Sequence, residues 1–241
     1  VYIDIDGIPF EEEIFKNLYC KLRTNDVFQC ESNFMKGVIK EIQPANIDEL
    51  ILTIAIGRPG PIDFLPKIVA VKNGLEKPNY LIPEMAEILD ETYGSPVYQE
   101  QIMKLMQLAG MTAGEADTVR RYMSKKKTEK FESFKPKFVE GMVARGANRD
   151  ASETYWLSLV DFSKYAFNKS HAAIYAIVSY QTAWLKYHYP AEMICACMQY
   201  NENPDKLSNI ISDAWDFNVP LIGPDVNNMQ PDFICVQENN T

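Results

Sequence analysis

Arginine and lysine residues gather between Arg120 and Lys127, in the string Arg-Arg-Tyr-Met-Ser-Lys-Lys-Lys. If residues 115–124 form a helix, Arg121 and Lys125 share one face at i,i+4, and Arg120 and Ser124 share the neighbouring face. Arginine offers phosphate oxygens a planar fork of donors, and lysine adds a mobile charge. The pattern therefore indicates a site for a triphosphate or a nucleic-acid backbone, with a solvated helix face as the alternative. The chain lacks the G-x-x-x-x-G-K-[ST] loop of ordinary P-loop sites.

A second cluster combines polar, aromatic and small residues. It reads Phe-Asn-Lys-Ser-His-Ala-Ala over residues 167–173 and continues to Tyr175. On a helix, His171 and Tyr175 lie on one face at i,i+4, and the neighbouring alanines let another molecule approach closely. Such a face is better suited to contact with a flat base or base pair than to burial in a purely apolar core. The alternative is a buried helix whose hydroxyl groups, including those of Ser179 and Thr182, are all hydrogen-bonded.

The third cluster is the turn Arg58-Pro59-Gly60-Pro61. Two prolines around a glycine favour a rigid non-helical turn, and an arginine placed just before it is held in a set direction. The alternative, which this short string alone favours, is a helix end that carries a surface arginine.

Catalytic patterns are absent from the sequence. It contains neither the G-x-S-x-G elbow of a serine hydrolase nor H-E-x-x-H. Asp4 and Asp6 form a D-x-D that offers oxygen ligands for Mg²⁺ but has no evident third ligand. The five cysteines include one close pair, Cys195 and Cys197, without zinc-site spacing. An odd, low cysteine count predicts free thiols and a reducing cytoplasm.

Charge is unevenly distributed along the 241 residues. The net charge of −9 alone argues against binding nucleic acid. The window 120–149, however, holds ten basic and three acidic residues and carries +7, so the remainder of the chain carries −16. A basic region in an acidic chain is a candidate phosphate-facing surface. No apolar run approaches the ~18 to 20 residues of a membrane span.

Helical spacing of apolar residues dominates, and strand patterns are scarce. The sequence predicts a mainly α fold, a multi-helix domain with short extended segments at both ends. Residues 1–10 are predicted to be strand-like or extended, with breaks at Gly7 and Pro9, and Ser170 is predicted to cap the longest helix. Besides 115–124, the predicted helices cover residues 47–56, 83–90, 99–108, 129–143, 170–188, 191–200 and 205–217.

These clusters, in the order in which they occur along the chain, resemble one family, the alpha subunit of bacterial DNA polymerase III, a family C replicative polymerase. The resemblance runs from about residue 10 to Asn227. The matching strings are Val27-Phe28-Gln29 with Glu31-Ser32, Arg58 to Pro61, Glu91-Thr92-Tyr93-Gly94, Val97 to Gln101, Gly114 to Asp117, Arg120-Arg121, Lys125 to Lys127, Phe167 to Ala172, Val178 to Lys186 and His188 to Glu192. Tyr122 and Ser124 stand where the family usually has alanine and glycine.

The resemblance implies a fragment of a longer polymerase. Residues 1–10 would end the palm or connect it to the fingers, residues 11–219 would form the helical fingers domain, and residues 220–241 would begin a linker to the next, absent domain. The family's Mg²⁺ ions are held by palm aspartates, which would lie outside this fragment, so the fragment itself would bind no metal. Asp4 and Asp6 are not assigned that role.

The resemblance also implies the chemistry, which is template-directed nucleotidyl transfer during DNA replication. The fingers would place positive charge on the triphosphate of the incoming dNTP and a wall against the nascent base pair. No residue here is expected to be catalytic. The expected nucleotide-binding residues are Arg58, Arg120, Arg121, Lys125, Asn168, Lys169, Ser170, His171 and Tyr175. Those expected to meet DNA phosphates are Lys126, Lys127 and Lys130.

The expected partners are primer–template DNA, the incoming dNTP and, through regions outside this fragment, other replicase subunits; no membrane is expected. The expected location is the cytoplasm. The fragment alone is expected to be inactive. The alternative function is a non-catalytic helical module that binds nucleic acid.

Overall fold

The computed structural model describes residues 3–125, 128–201, 203–223, 226–227 and 232–236. In this part of the chain the structure is mainly α-helical, as predicted, and contains no strand beyond an isolated parallel bridge between Tyr98 and Phe167. The α-helices are α1 (Glu12–Ile14), α2 (Asn33–Ile42), α3 (Ile47–Ile56), α4 (Leu65–Lys72), α5 (Ala86–Leu89), α6 (Gln99–Leu108), α7 (Ala113–Ser124), α8 (Thr128–Glu132), α9 (Lys135–Ala144), α10 (Arg149–Ser163), α11 (Lys169–His188), α12 (Pro190–Tyr200) and α13 (Pro204–Asp216).

Three local predictions were wrong. The segment predicted as one helix over 129–143 is divided into α8 and α9, because Pro136 lies in the first turn of α9 and cannot donate a backbone hydrogen bond to the preceding turn. The N-cap of α11 is Asn168, whose Oδ1 accepts the N–H of His171 at 2.9 Å, and not Ser170. Near the N-terminus a 3-10 turn, Ile5–Gly7, interrupts the predicted extended segment, with Asp4 as its cap.

The chain divides into two compact units. Unit 1 comprises residues 1–47 and 175–241, and unit 2 comprises residues 48–174. The core of unit 2 gathers apolar side chains from α5 to α10 around Trp156. The rings of Phe131 and Phe138 pack on Trp156 with centroids 4.8 and 5.3 Å away, while its Nε1 donates to Glu132 at 3.0 Å. Aromatic packing therefore joins α8, α9 and α10 in one core.

Unit 1 buries polar groups of α11 among apolar ones. The Tyr19 hydroxyl and Ser179 Oγ are 3.0 Å apart, and Thr182 Oγ1 accepts the N–H of Phe28 at 3.0 Å. Burial raises the pKa of the Cys30 thiol to about 11. For Ser179 and Thr182, the alternative interpretation as hydrogen-bonded hydroxyls of a packed helix is the one that these contacts support.

Unit 1 also buries an ion pair between α11 and α13. Lys186 of α11 bonds Asp213 of α13, and the two side chains are 2% and 5% exposed. Lys186 Nζ also donates to the carbonyl of Asn25 at 2.6 Å, and Asn25 Nδ2 donates to Asp213 at 2.8 Å. Each charge is thus compensated and hydrogen-bonded, as a buried ion requires.

All five cysteines are free thiols. Among the described helices, none combines the length and hydropathy that crossing a bilayer would demand.

Candidate functional site

Helix α7 presents the two arginines of the basic cluster. Its N-terminus is closed by a capping box in which Thr112 and Glu115 exchange hydrogen bonds. Ala116, Val119 and Met123 lie on its buried face. The three- and four-residue spacing of these apolar positions turns the intervening residues 117, 120 and 121 toward the surface.

Asp117 holds both arginines. Its Oδ1 accepts from Nε and Nη2 of Arg120 at 2.9 and 2.8 Å. Its Oδ2 accepts from Nε and Nη2 of Arg121 at 2.8 and 2.5 Å. The hydrogen bonds from Arg121 and then Arg120 lower the pKa of the Asp117 carboxyl, so it is ionised at neutral pH. One carboxylate thus orients two guanidinium groups, whose side chains remain 40% and 64% exposed.

Of the described cations in the basic window, Arg120 and Arg121 are the two that bond Asp117. Lys137 bonds Glu115 at 2.6 Å, which with the Thr112 cap lowers the pKa of Glu115 to about 2. Lys125 ends α7 and is exposed. Lys130 lies 5.8 Å from the ring centroid of Tyr122. Two of the predicted DNA-binding residues, Lys126 and Lys127, lie outside the described residues.

Arg58 has a structural role in this fold. Its guanidinium lies 3.8 Å from the ring centroid of Phe167, and it donates to the carbonyls of Ala55 and Tyr165 at 3.1 and 2.9 Å. Burial lowers its pKa. Gly60, at φ +102°, lies so close to the Tyr165 ring that a Cβ would be 2.5 Å from it. The Arg-Pro-Gly-Pro turn therefore fixes the segment that leads into α11.

Two glutamates fix the start of α11. Glu100 accepts from Asn168 Nδ2 at 2.8 Å and from the N–H of Lys169 at 3.1 Å. Glu91 forms an ion pair with Lys169, whose Nζ also lies 5.6 Å from the ring centroid of Tyr98. Asn168 and Lys169 are thus held by carboxylates that also complement the positive end of the helix dipole.

The remaining predicted residues differ in exposure. Ser170 and His171 are exposed, and the His171 ring meets Phe167 edge-on at 5.3 Å. Tyr175 falls in unit 1, where its ring centroid is 5.3 Å from that of Phe28. Within unit 2, Arg120 and Arg121 therefore lie together on α7, and the predicted residues 168–171 lie together at the start of α11.

Sequence reasoning missed the carboxylates that hold these groups. Asp117 could have been found, because acid and base three and four residues apart on a helix form pairs. No local spacing signals Glu91 or Glu100, because they are 78 and 68 residues from their partners.

The side chains that the structure describes do not form a Mg²⁺ site. Over the described ranges, no group of three or more His, Cys, Asp or Glu side chains is placed to hold a metal ion. Asp4 accepts the N–H of Asp6 at 3.3 Å in an exposed turn. This pair lacks the further oxygen ligands that a hard divalent cation requires.

Replacing Glu100 by alanine should loosen the start of α11. We expect the local opening free energy there to fall by about 1 kcal/mol, which is typical of losing a helix cap. Hydrogen exchange at the amides of His171 and Ala172 measures it, with Glu87→Ala on the exposed face of α5 as the control. Equal protection in the two variants would contradict the assigned role of Glu100.

Comparison with known proteins defines the class. A model of the bacterial DNA polymerase III alpha subunit finger domain matches residues 1–146, more than half of the chain. The region is therefore a polymerase finger domain. The chain belongs to the family of bacterial DNA polymerase III alpha subunits.

Full-length relatives support this assignment. The chain is 37% identical over 243 aligned positions to DNA polymerase III subunit alpha of Rickettsia prowazekii, covering 100% of the chain and 20% of that protein. It is 37% identical to the Aquifex aeolicus subunit (99% and 21%) and 38% identical to that of Thermus aquaticus (99% and 20%). The chain thus spans about a fifth of the length of these curated relatives.

Proposed function

We propose that this chain acts as the fingers of a replicative DNA polymerase and binds the triphosphate of the incoming dNTP beside the nascent base pair. The observation that carries this proposal is the exposed Arg120–Arg121 pair on α7. Two guanidinium groups held side by side suit a polyphosphate, because each offers several donors to phosphate oxygens. Lys125, one turn beyond Arg121, adds a mobile charge.

The reaction on this proposal is nucleotidyl transfer. The primer 3′-hydroxyl attacks the α-phosphorus of the dNTP, a new phosphodiester bond forms, and the bond to pyrophosphate breaks. This chain's cations bind the triphosphate and balance the charge that gathers on the departing pyrophosphate. Ser170 and His171 on the exposed start of α11 face the nucleotide, while Arg58 and Lys169 act mainly by positioning that helix.

The other partners follow from the same proposal. Primer–template DNA meets the basic window through Lys126, Lys127 and Lys130, and other replicase subunits bind outside this chain. Mg²⁺, when bound, stabilises the attacking and leaving oxygens, and its ligands lie outside this chain. The separated chain is inactive on this proposal, and the polymerase works in the cytoplasm. The domain bounds at residues 10 and 219 are part of the same proposal.

The test uses the full-length polymerase, with Arg121→Ala compared with wild type in single-nucleotide incorporation at varied dNTP. We expect kcat/KM for the dNTP to fall about 10- to 100-fold, because a donor to developing charge is lost. DNA affinity, measured separately, should change little. Arg149→Ala, an exposed arginine of the same basic window, is the matched control and should behave like wild type.

Two outcomes would count against the proposal. Unchanged kinetics in Arg121→Ala would mean that the triphosphate does not bind at α7. Unchanged kinetics together with weakened DNA binding would favour the alternative of a module that binds nucleic acid through its backbone.

A further inference from the structure

Asp117 bonds the two arginines through its two carboxylate oxygens, one for each guanidinium. Each carboxylate oxygen accepts two donors from one guanidinium, so all four hydrogen bonds involve the Nε and Nη2 edges. The contacts are intrahelical, at i,i+3 and i,i+4. The arrangement therefore depends only on α7 and on the rotamers of three side chains.

The number of N–H donors on a guanidinium group determines how many of them the contact with Asp117 leaves unused. Arginine has five N–H donors, of which the contact to Asp117 uses one on Nε and one on Nη2. For Arg121, the contact with Asp117 does not use the adjacent Nη1–Nη2 edge. That edge has the same fork geometry, and it suits two oxygens of a phosphate.

Without the carboxylate, the arginines would lose this arrangement. Arg121 is 64% exposed, and a long exposed side chain samples many rotamers. The two guanidinium groups, which both bond Asp117, also repel each other as like charges. Asp117 opposes both effects, because it restricts the rotamers and places a negative charge between the two guanidinium groups.

We propose that Asp117 is a positioning residue for nucleotide binding, one that orients Arg120 and Arg121 and directs the Nη1–Nη2 edge of Arg121 to the triphosphate. This inference rests on the proposed function of α7. Its rival is that Asp117 competes with phosphate for the arginines. The two differ in sign, because removing a competitor would tighten nucleotide binding whereas removing a positioning group weakens it.

The experiment measures single-nucleotide incorporation by the full-length polymerase carrying Asp117→Asn. The amide keeps the shape of the side chain but loses its charge and one acceptor oxygen. We expect kcat/KM for the dNTP to fall about tenfold, because misplaced binding groups lose much of their effect. Asp117→Glu retains the carboxylate and should recover part of the loss. Asp161→Asn removes an exposed i,i+3 pair with Lys164 on α10 and is the matched control.

A triple variant distinguishes positioning from a merely structural role. If Asp117 acts through the arginines, then Asp117→Asn combined with Arg120→Ala and Arg121→Ala should be no slower than the two arginine changes alone, within about twofold. If Asp117 only stabilised the fold, Asp117→Asn would slow the two-arginine variant further by its full effect, and it would lower the melting temperature.

The outcomes separate this inference from the function on which it rests. If Arg121→Ala lowers kcat/KM and Asp117→Asn leaves it unchanged or raises it, the positioning role is overturned and the proposed function stands. If neither change has an effect, both are overturned.

Discussion

Replacing Lys186 by alanine is expected to lower the free energy of unfolding of unit 1 by about 3–5 kcal/mol, the range for removing one partner of a buried ion pair. The change would leave Asp213, whose side chain is 5% exposed, without its cation. It would also remove the donor to the Asn25 carbonyl. Urea denaturation followed by the helical circular dichroism signal measures the loss.

Two comparisons make this expectation specific. Lys206→Ala removes an exposed pair with Glu31, at 3.6 Å and about half exposed on both sides, and should cost at most about 1 kcal/mol. Replacing both buried partners, with Lys186→Met and Asp213→Leu, should recover most of the stability, because no uncompensated charge remains. A loss below about 1 kcal/mol in Lys186→Ala would mean that water reaches Asp213.

The change Gly141→Ala should destabilise unit 2 by about 3 kcal/mol, at the upper end of the range for overpacking. Helix α9 passes so close to the end of α6 that a Cβ at this position would lie 1.8 Å from the Ala109 carbonyl oxygen. A backbone atom cannot rotate away as a side chain would, so the two helices must separate. This cost opposes the gain of up to about 1 kcal/mol that alanine brings to a helix interior.

Gly37→Ala is the matched control for this second change. Gly37 also lies inside a helix, α2, but a Cβ there would meet nothing within 4 Å. We expect it to leave stability unchanged or to raise it by up to about 1 kcal/mol. Similar melting temperatures for the two variants would show that the α6–α9 contact tolerates separation.

The helices were predictable where local pattern alone decides them. Helices α3 and α6 have the predicted bounds, 47–56 and 99–108, because capping and apolar spacing act within a few residues. The break at Pro136 was missed because the apolar spacing of Phe131, Phe134 and Phe138 continues across it. The apolar spacing indicates which side of a segment faces the core, but it does not indicate whether the helix is continuous.

The candidate site was predictable to a lesser degree. The sequence predicted the cations of α7 and the polar start of α11, yet it did not predict how they are held. Arg58 illustrates the reason, because its contacts with Tyr165 and Phe167 join positions more than a hundred residues apart. Which cation contacts a carboxylate or an aromatic ring depends on packing between distant segments, and no spacing along the chain encodes it.

The parallel bridge between Tyr98 and Phe167, which holds the start of α11 in place, links two distant stretches of chain. Phe167 donates to Val97 and accepts from Gln99, while Glu100 and Asn168 are 68 residues apart. Bringing the ends of such a loop together costs roughly 4 kcal/mol of chain entropy. We therefore expect these contacts to form late in folding, after helices α6 to α10 have packed. Because each doubling of loop length adds only about 0.6 kcal/mol, the intervening helices can gain insertions at their surface turns while the start of α11 keeps its place.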